Sequence, residues 1–324
     1  MTSPSLVLGV DGGGSSTRAV LSDLSGNVRG RGAAGASNPF AVGREGCDAA
    51  LNAAVAEAFM TAGLPRQPVA FAVLGIAGLL GERETQLVEH VARSLALASG
   101  LLVIHDLHIA LEGGLTGGPG VVLIAGTGSS CYARGARGNG VITGGKGPVA
   151  GDSGSAYWVA HRALRMAVKQ LDGRLPRGPL AGAVLEQLSL QNPADLVKKL
   201  YQPSLPAREL ARLCPAVVQL ASQGDEFAAA IVEKAQDALA EMVQAGAGRV
   251  HLHNPAVILT GGLARAGLFR PGLEAAIVRR IPGASFPERR LPPVGGAVLC
   301  ALRGAGAALD DALVERLAAG MLAD

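Results

Sequence analysis

The run Leu6-Val7-Leu8-Gly9-Val10-Asp11-Gly12-Gly13-Gly14-Ser15-Ser16-Thr17 carries an apolar strand directly into a carboxylate, three glycines and three hydroxyls. Glycine leaves main-chain N–H groups unobstructed by Cβ atoms, so such a turn forms a concave nest of partial positive charge suited to an anion. Asp11 closes the strand, where one carboxylate can hold Mg²⁺ through its water shell while phosphates supply other ligands. The segment reads as a phosphate-binding loop; a Gly-rich hairpin with a capping aspartate is the alternative.

Outward from this loop, residues 19–23 and 28–32 form apolar runs joined by the turn Ser25-Gly26-Asn27. Residues 44–62 have helical spacing and stop at Gly63, with Pro65 just beyond. Residues 69–76 and 101–105 read as strands on either side of a helix at 82–97. The pattern then begins again: a strand at 121–125, the turn Gly126-Thr127-Gly128-Ser129-Ser130, and strands at 131–134 and 141–143. Helices dominate from 156 to about 248, and residues 257–260 form a late strand. Two similar halves predict an α/β fold of two facing domains with a cleft between them. The expected boundaries are 1–115 together with a C-terminal helix at 303–324 for the first domain, and 116–302 for the second.

Composition narrows the function. The 324 residues are 49% hydrophobic but only 17% charged and 3% aromatic, with 46 glycines and 18 prolines, which describes a globular chain with a small-residue interior. A net charge of +3 is too weak, and its basic residues too dispersed, to specify a nucleic-acid surface. With no secretory signal pattern and no apolar run of membrane-spanning length, the expectation is a cytoplasmic protein. Cys47, Cys131, Cys214 and Cys300 are scattered and form no C-x-x-C, so reduced thiols are expected.

Two glycine patterns mislead. Gly30 through Gly35 satisfies G-x-G-x-x-G, yet leads into Ser37-Asn38-Pro39 rather than a helix, and reads as chance. Gly140 through Lys146 satisfies G-x-x-x-x-G-K, but Gly147 stands where a hydroxyl must meet the metal.

An ordered set of motifs remains: Val10-Asp11-Gly12-Gly13-Gly14-Ser15, Ser37-Asn38-Pro39, His105-Asp106, Ala125-Gly126-Thr127-Gly128-Ser129, residues 151–158 reading GDSGSAYW, and Thr260-Gly261-Gly262. The chain thereby resembles the actin-like ATPase superfamily of sugar kinases, within it the N-acetylglucosamine kinase and BadF/BadG/BcrA/BcrD ATPase group. The resemblance implies two actin-like (ribonuclease H-like) domains and an ATP- and Mg²⁺-dependent kinase acting on the 6-hydroxyl of an amino sugar, N-acetylglucosamine first, glucosamine or glucose next. A more distant alternative is a BadF-type ATPase that activates a dehydratase. A homodimer is implied, with a sugar as the small-molecule partner and neither nucleic acid nor membrane.

Phosphoryl transfer through a loose transition state asks the protein mainly to position reactants and neutralise charge. Gly12, Gly13, Gly14, Ser15, Ser16 and Thr17 are expected to hold the β- and γ-phosphates from one domain, and Gly126, Thr127, Gly128 and Ser129 from the other. Asp106 follows a buried strand, where open α/β sheets place their ligands, and is expected to be the general base. Its alternative is to cap a helix beginning near Ile109. His105 and His108 read as strand-end residues rather than catalysts. Gly261 and Gly262 give a purine or ribose access to the backbone, and the resemblance adds Ala221 and Arg265 beside the adenine. It also makes Asn38, Asp106, Gly145, Lys146, Gly147 and Asp152 sugar contacts; a turn asparagine and a cap for the helix from about Ser155 are the alternatives for Asn38 and Asp152. Gly295-Gly296-Ala297 reads as an inter-domain hinge opening the last helix. The chain departs from the family at Lys146, where tryptophan is common, and at Ser153, where glutamate is common.

Overall fold

The structure, a computed structural model, describes residues 6–79, 81–94, 98–202 and 205–322. It divides into two compact units, Met1–Gly118 with Glu288–Asp324, and Pro119–Pro287. The mixed α/β class expected from the sequence is what the sheets show.

In the first unit, β1 (Leu6–Gly12), β2 (Thr17–Asp23) and β3 (Val28–Ala34) form an antiparallel meander, and β4 (Val69–Ile76) and β5 (Ala98–His105) extend it in parallel, giving the order β3-β2-β1-β4-β5. This is the ribonuclease H-like arrangement. Between β3 and β4 runs α1 (Pro39–Thr61), whose backbone breaks at Gly43; α2 (Glu82–Ser94) precedes β5, and the last three residues of the helix expected at 82–97 lie outside the described ones. The chain then enters α3 (Asp106–Leu115) with no intervening loop.

Side chains alternate across a strand, and β1 shows both consequences. Leu6, Leu8 and Val10 join Leu51, Val55 and Phe59 of α1 in one core, while Val7 joins a second core on the opposite face. Gly30 and Gly32 explain what the sequence left as chance. A Cβ there would lie 2.1 Å from Ala58 O and 2.0 Å from Ala54 O, so glycine lets α1 lie directly on β3.

The second unit repeats the plan. β6 (Gly120–Ala125), β7 (Ser129–Arg134) and β8 (Gly140–Gly144) form the meander, and β9 (Val257–Thr260) pairs parallel to β6, giving β8-β7-β6-β9. A parallel bridge between Ala256 and Ser285 stands where a fifth strand would continue the sheet. The connection from β8 to β9 is helical: α4 (Gly147–Ala150), α5 (Ala156–Leu171), α6 (Pro179–Gln187), α7 (Leu196–Tyr201), α8 (Ala207–Ala211), α9 (Cys214–Ser222) and α10 (Glu226–Arg249). After β9 comes α11 (Arg270–Arg280).

The chain closes with α12 (Pro293–Gly304) and α13 (Asp311–Leu322). Here the observed division differs from the expected one. α12 lies in the first unit, so the return occurs near Glu288 and not at residue 303. Packing explains this: Val294, Ala297, Val298 and Leu302 share a core with Val7, Val73 and Ile109. The Arg303 guanidinium pairs with the buried Glu112 of α3 at 2.5 Å. Gly295-Gly296-Ala297, read as a hinge at the start of the last helix, sits inside α12 with α13 still to follow. A Cβ at Gly296 would lie 2.0 Å from Ile109 O and 2.5 Å from Gly113 N, which makes this glycine a site of close helix–helix approach.

Because both neighbours of Gly296 are backbone atoms, Gly296→Ala must part α12 from α3. The expected cost is about 3 kcal/mol, lowering the first unit's thermal midpoint by roughly 5–10 °C. An unchanged melt by circular dichroism would refute the contact.

Candidate functional site

In the first unit the candidate residues gather at the carboxyl ends of the parallel strands. Asp11 pairs in register with Gly75, and Gly75 with Ile104, so β1, β4 and β5 end nearly level and Asp106 follows one residue past His105. Asp11 shares the strand face of Val7, the face on which α3 and α12 pack. Its carboxyl is pushed up to about 6, first by burial and then by the charge of Asp106, with Arg18 opposing. A hard divalent cation would offset both the burial of this carboxylate and the field of Asp106, so Asp11 fits the expected Mg²⁺.

Asp106 is the first residue of α3. It is not that helix's cap: His105 occupies the capping position, and the helix starts three residues before Ile109. The amino end of a helix favours a carboxylate's negative charge.

The phosphate-loop candidates divide into two groups. Gly14, Ser15 and Ser16 are exposed, and a Cβ on Gly14 would meet nothing within 4 Å. Gly12, Gly13 and Thr17 are tied into the chain. Gly12 O accepts from Ala77 N at 2.8 Å, and Gly13 O accepts from Ser37 N at 3.1 Å and Asn38 N at 3.3 Å. The Thr17 hydroxyl is fully buried, donates to Gly35 O at 2.7 Å and lies 2.8 Å from Ser37 Oγ. It braces the loop from beneath. Asn38 caps α1, its Oδ1 accepting from Phe40 N at 2.9 Å and Ala41 N at 3.3 Å, and its amide stands where a Cβ on Gly78 would be. The turn reading of Asn38 is therefore realised as a helix cap; any sugar contact falls to its Nδ2 group.

In the second unit two glycine turns stand side by side at the ends of β6 and β9. Ala125 O accepts from Leu263 N at 3.0 Å and Ala264 N at 3.1 Å, and Gly261, at φ +91°, would bring a Cβ to 2.3 Å from that same oxygen. Gly126 O accepts from Ala156 N at 2.8 Å and Thr127 O from Tyr157 N at 3.2 Å, which seats the amino end of α5 on the first turn. Ser129 is buried and donates to Ser153 O at 2.9 Å, so its hydroxyl holds the 151–155 loop. Gly262 and Arg265 are exposed.

Asp152 lies against Gly128, where a Cβ would come within 2.7 Å of Oδ2. Its carboxyl is raised by burial, with the N–H groups of Ser129 and Gly147 opposing. The cap of α5 is Ser155, through Trp158 N, and not Asp152, whose backbone sits at φ +51°. Gly144, Gly145 and Gly147 all take positive φ and shape the bend that carries the exposed Lys146. Ala221 lies in the last turn of α9, half-buried against the second unit's core.

Sequence reasoning passed over His105 as a partner of Asp106: Nδ1 lies 2.6 Å from Oδ1. It also left unassigned Ser37, fully buried beneath the loop. Burial pushes the Cys131 and Cys214 thiols up to about 12 and Cys47 up to about 11. Among the described residues no three His, Cys, Asp or Glu side chains cluster as a metal site, and no helix is long and apolar enough to cross a membrane.

Two ribonuclease H-like units, each presenting a glycine turn at the carboxyl edge of its sheet, define the actin-like ATPase class. Within it, the model of the BadF/BadG/BcrA/BcrD ATPase family matches residues 8–301, and the chain belongs to that family. It is 31% identical over 316 residues to the N-acetyl-D-glucosamine kinase of Dictyostelium discoideum, covering 93% of this chain and 98% of that protein. It is 31% identical over 254 residues to the N-acetylmuramic acid/N-acetylglucosamine kinase of Clostridium acetobutylicum, covering 78% of this chain and 83% of that protein. Among solved structures, a candidate N-acetylglucosamine kinase from Chromobacterium violaceum superposes with a TM-score of 0.76 at 27% identity, covering 92% of this chain and 99% of that one.

The raised Asp11 carboxyl has a measurable consequence. In the metal-free folded chain it keeps its proton up to about pH 6, whereas unfolded it loses it near pH 4, so its contribution to stability falls as pH rises through that window. Above the window the ionised group is a standing cost, so Asp11→Asn is expected to stabilise the metal-free protein by about 2–3 kcal/mol at pH 7.5 and to flatten its decline between about pH 4 and 6. Equal urea midpoints for variant and wild type at pH 7.5 would contradict this.

Proposed function

We propose that the chain is an ATP-dependent kinase that phosphorylates the 6-hydroxyl of an amino sugar, with N-acetylglucosamine the first candidate. The observation that carries the reading is Asp106, at the first position of α3 on the carboxyl edge of β1, β4 and β5, beside Asp11 and the Gly12–Ser16 loop. The kinase names of the two relatives at 31% identity support the substrate class.

In this reading the N–H groups of Gly13, Gly14 and Ser15, with the Ser15 and Ser16 hydroxyls, bind the terminal phosphates from the first unit. Gly126, Thr127 and Gly128 do so from the second, Gly261 and Gly262 lie along the adenosine, and Ala221 and Arg265 lie at its adenine. Asp11 holds Mg²⁺, which neutralises phosphate charge when bound. Asn38 Nδ2, Asp152 and the Gly145-Lys146-Gly147 bend orient the sugar.

Asp106 accepts the proton of the 6-hydroxyl as that oxygen bonds to the γ-phosphorus. The bond from γ-phosphorus to the bridging oxygen breaks, leaving ADP and the sugar 6-phosphate. The same reading includes a cytoplasmic location and a homodimer, the latter supported by the family resemblance alone.

The test is ADP release with N-acetylglucosamine, N-acetylmuramic acid, glucosamine, N-acetylmannosamine, glucose or water as acceptor. N-acetylglucosamine is expected to give the highest kcat/KM, and Asp106→Asn to lower kcat by about 10²–10⁴-fold while ATP still binds. Turnover as fast with water as with every sugar would end the kinase reading, and full activity of Asp106→Asn would move the base elsewhere.

A further inference from the structure

We infer that His105 is a positioning residue for Asp106, holding its Oδ1 through Nδ1–H so that Oδ2 alone faces the acceptor hydroxyl; this rests on the kinase reading above. Asp106 Oδ1 is buried and has no aligned hydrogen-bond donor, yet His105 Nδ1 stands 2.6 Å from it. Two unprotonated atoms at that distance would repel each other, and a base must be ionised to act, so the proton between them belongs to Nδ1.

Nδ1 is also the atom facing Leu107 N, but that contact is 3.4 Å long. That longer contact has hydrogen-bond geometry with Nδ1 accepting and the 2.6 Å approach does not, so a proton on Nδ1 gives up the Leu107 bond in exchange for a shorter one to a carboxylate.

The fold makes this contact rigid. His105 is the last residue of β5, pairs with Ile76 and has a half-buried side chain, 18% exposed. Asp106 is fixed by the first turn of α3, whose buried Leu107, Ile109 and Leu111 anchor it. Neighbouring residues at a strand-to-helix junction with no loop have little backbone freedom to separate. A base limited to one free oxygen presents a single geometry to the hydroxyl, and misplacing a reacting group by about 1 Å costs on the order of 10²-fold.

Because His105 also occupies the capping position of α3, the test must separate capping from donation. Asparagine caps and donates; aspartate caps but cannot donate to an ionised neighbour; alanine does neither. We expect His105→Ala to lower kcat with N-acetylglucosamine 10–100-fold while KM for sugar and for ATP stays within about 3-fold. His105→Asn is expected to recover kcat to within about 3-fold of wild type. His105→Asp is expected to melt within a few degrees of His105→Asn yet fall at least as far in kcat as His105→Ala. Equal kcat for the asparagine and aspartate variants, both folded, would reduce His105 to a helix cap and overturn the inference. So would a raised sugar KM with unchanged kcat. If wild type releases ADP no faster with any sugar than with water, the kinase reading falls and this inference with it; sugar-dependent wild type with three wild-type-like variants removes the inference alone.

Discussion

Asp11 is held out of water in the field of Asp106, a juxtaposition that opposes folding and that packing around the first sheet must outweigh. Three devices fix it. β1 is paired on both sides, with Asp11 in register between Arg18 and Gly75, so the strand end has no freedom to swing the carboxylate away. α12 presses on the same strand at Gly9, where a Cβ would lie 2.6 Å from Val298 N. α3 is tied to α12 by the close approach at Gly296 and by the pairing of buried Glu112 with the half-exposed Arg303, which locates Asp106 at the head of α3. A divalent cation held by Asp11 would offset both the burial of its charge and the field of Asp106, which is a physical reason for a metal-free protein to keep such a pair.

The parts of this arrangement that depend on local pattern were legible in the sequence. Residues 69–76 are an apolar run of strand length and form β4 with those boundaries, because a central parallel strand is buried on both faces. The carboxylate after an apolar strand placed Asp106 at the strand's carboxyl end, although β5 is an edge strand in which Val103 alone is buried, not the buried strand that was expected. The return of the chain into the first unit was legible only in part: a return was expected at residue 303, whereas it occurs near Glu288. Gly295-Gly296 looks the same in sequence whether glycine serves a hinge or a close helix contact, and only tertiary packing against Ile109 and Gly113 distinguishes the two. Gly30 and Gly32 show the same ambiguity: a false nucleotide motif in one dimension and a seat for α1 in three.

Hydroxyls were the weakest part of the reading for a related reason. Ser15, Ser16, Thr17 and Ser129 all lie in or beside glycine turns, and composition ranks them alike. Period-two alternation separates them once the strands are fixed: Thr17 opens β2 and Ser129 opens β7, and both side chains turn inward to bond Gly35 O and Ser153 O. Only Ser15 and Ser16 stay in the open turn. The contact between His105 and Asp106 escaped notice because it joins adjacent residues across a strand-to-helix junction, where neither a period of two nor one of 3.6 applies.

What remains divides along the same line between backbone and side chain. Binding of phosphate and adenosine in this fold asks for glycine turns at strand ends, a demand on the main chain that few residues can meet and that two such turns in sequence therefore announce. In the proposed kinase, sugar choice falls to side chains on loops that the main chain merely delivers: Asp152 at φ +51° with its carboxyl raised, Lys146 on a bend of positive-φ glycines, Asn38 with its amide oxygen already engaged in capping α1. Both departures from the family pattern, Lys146 and Ser153, fall in this second group, and neither falls in the glycine turns. On the proposed reading, phosphoryl transfer is therefore the part of the function that the fold constrains, and acceptor identity the part that single substitutions in the 145–153 loop would change without disturbing either sheet.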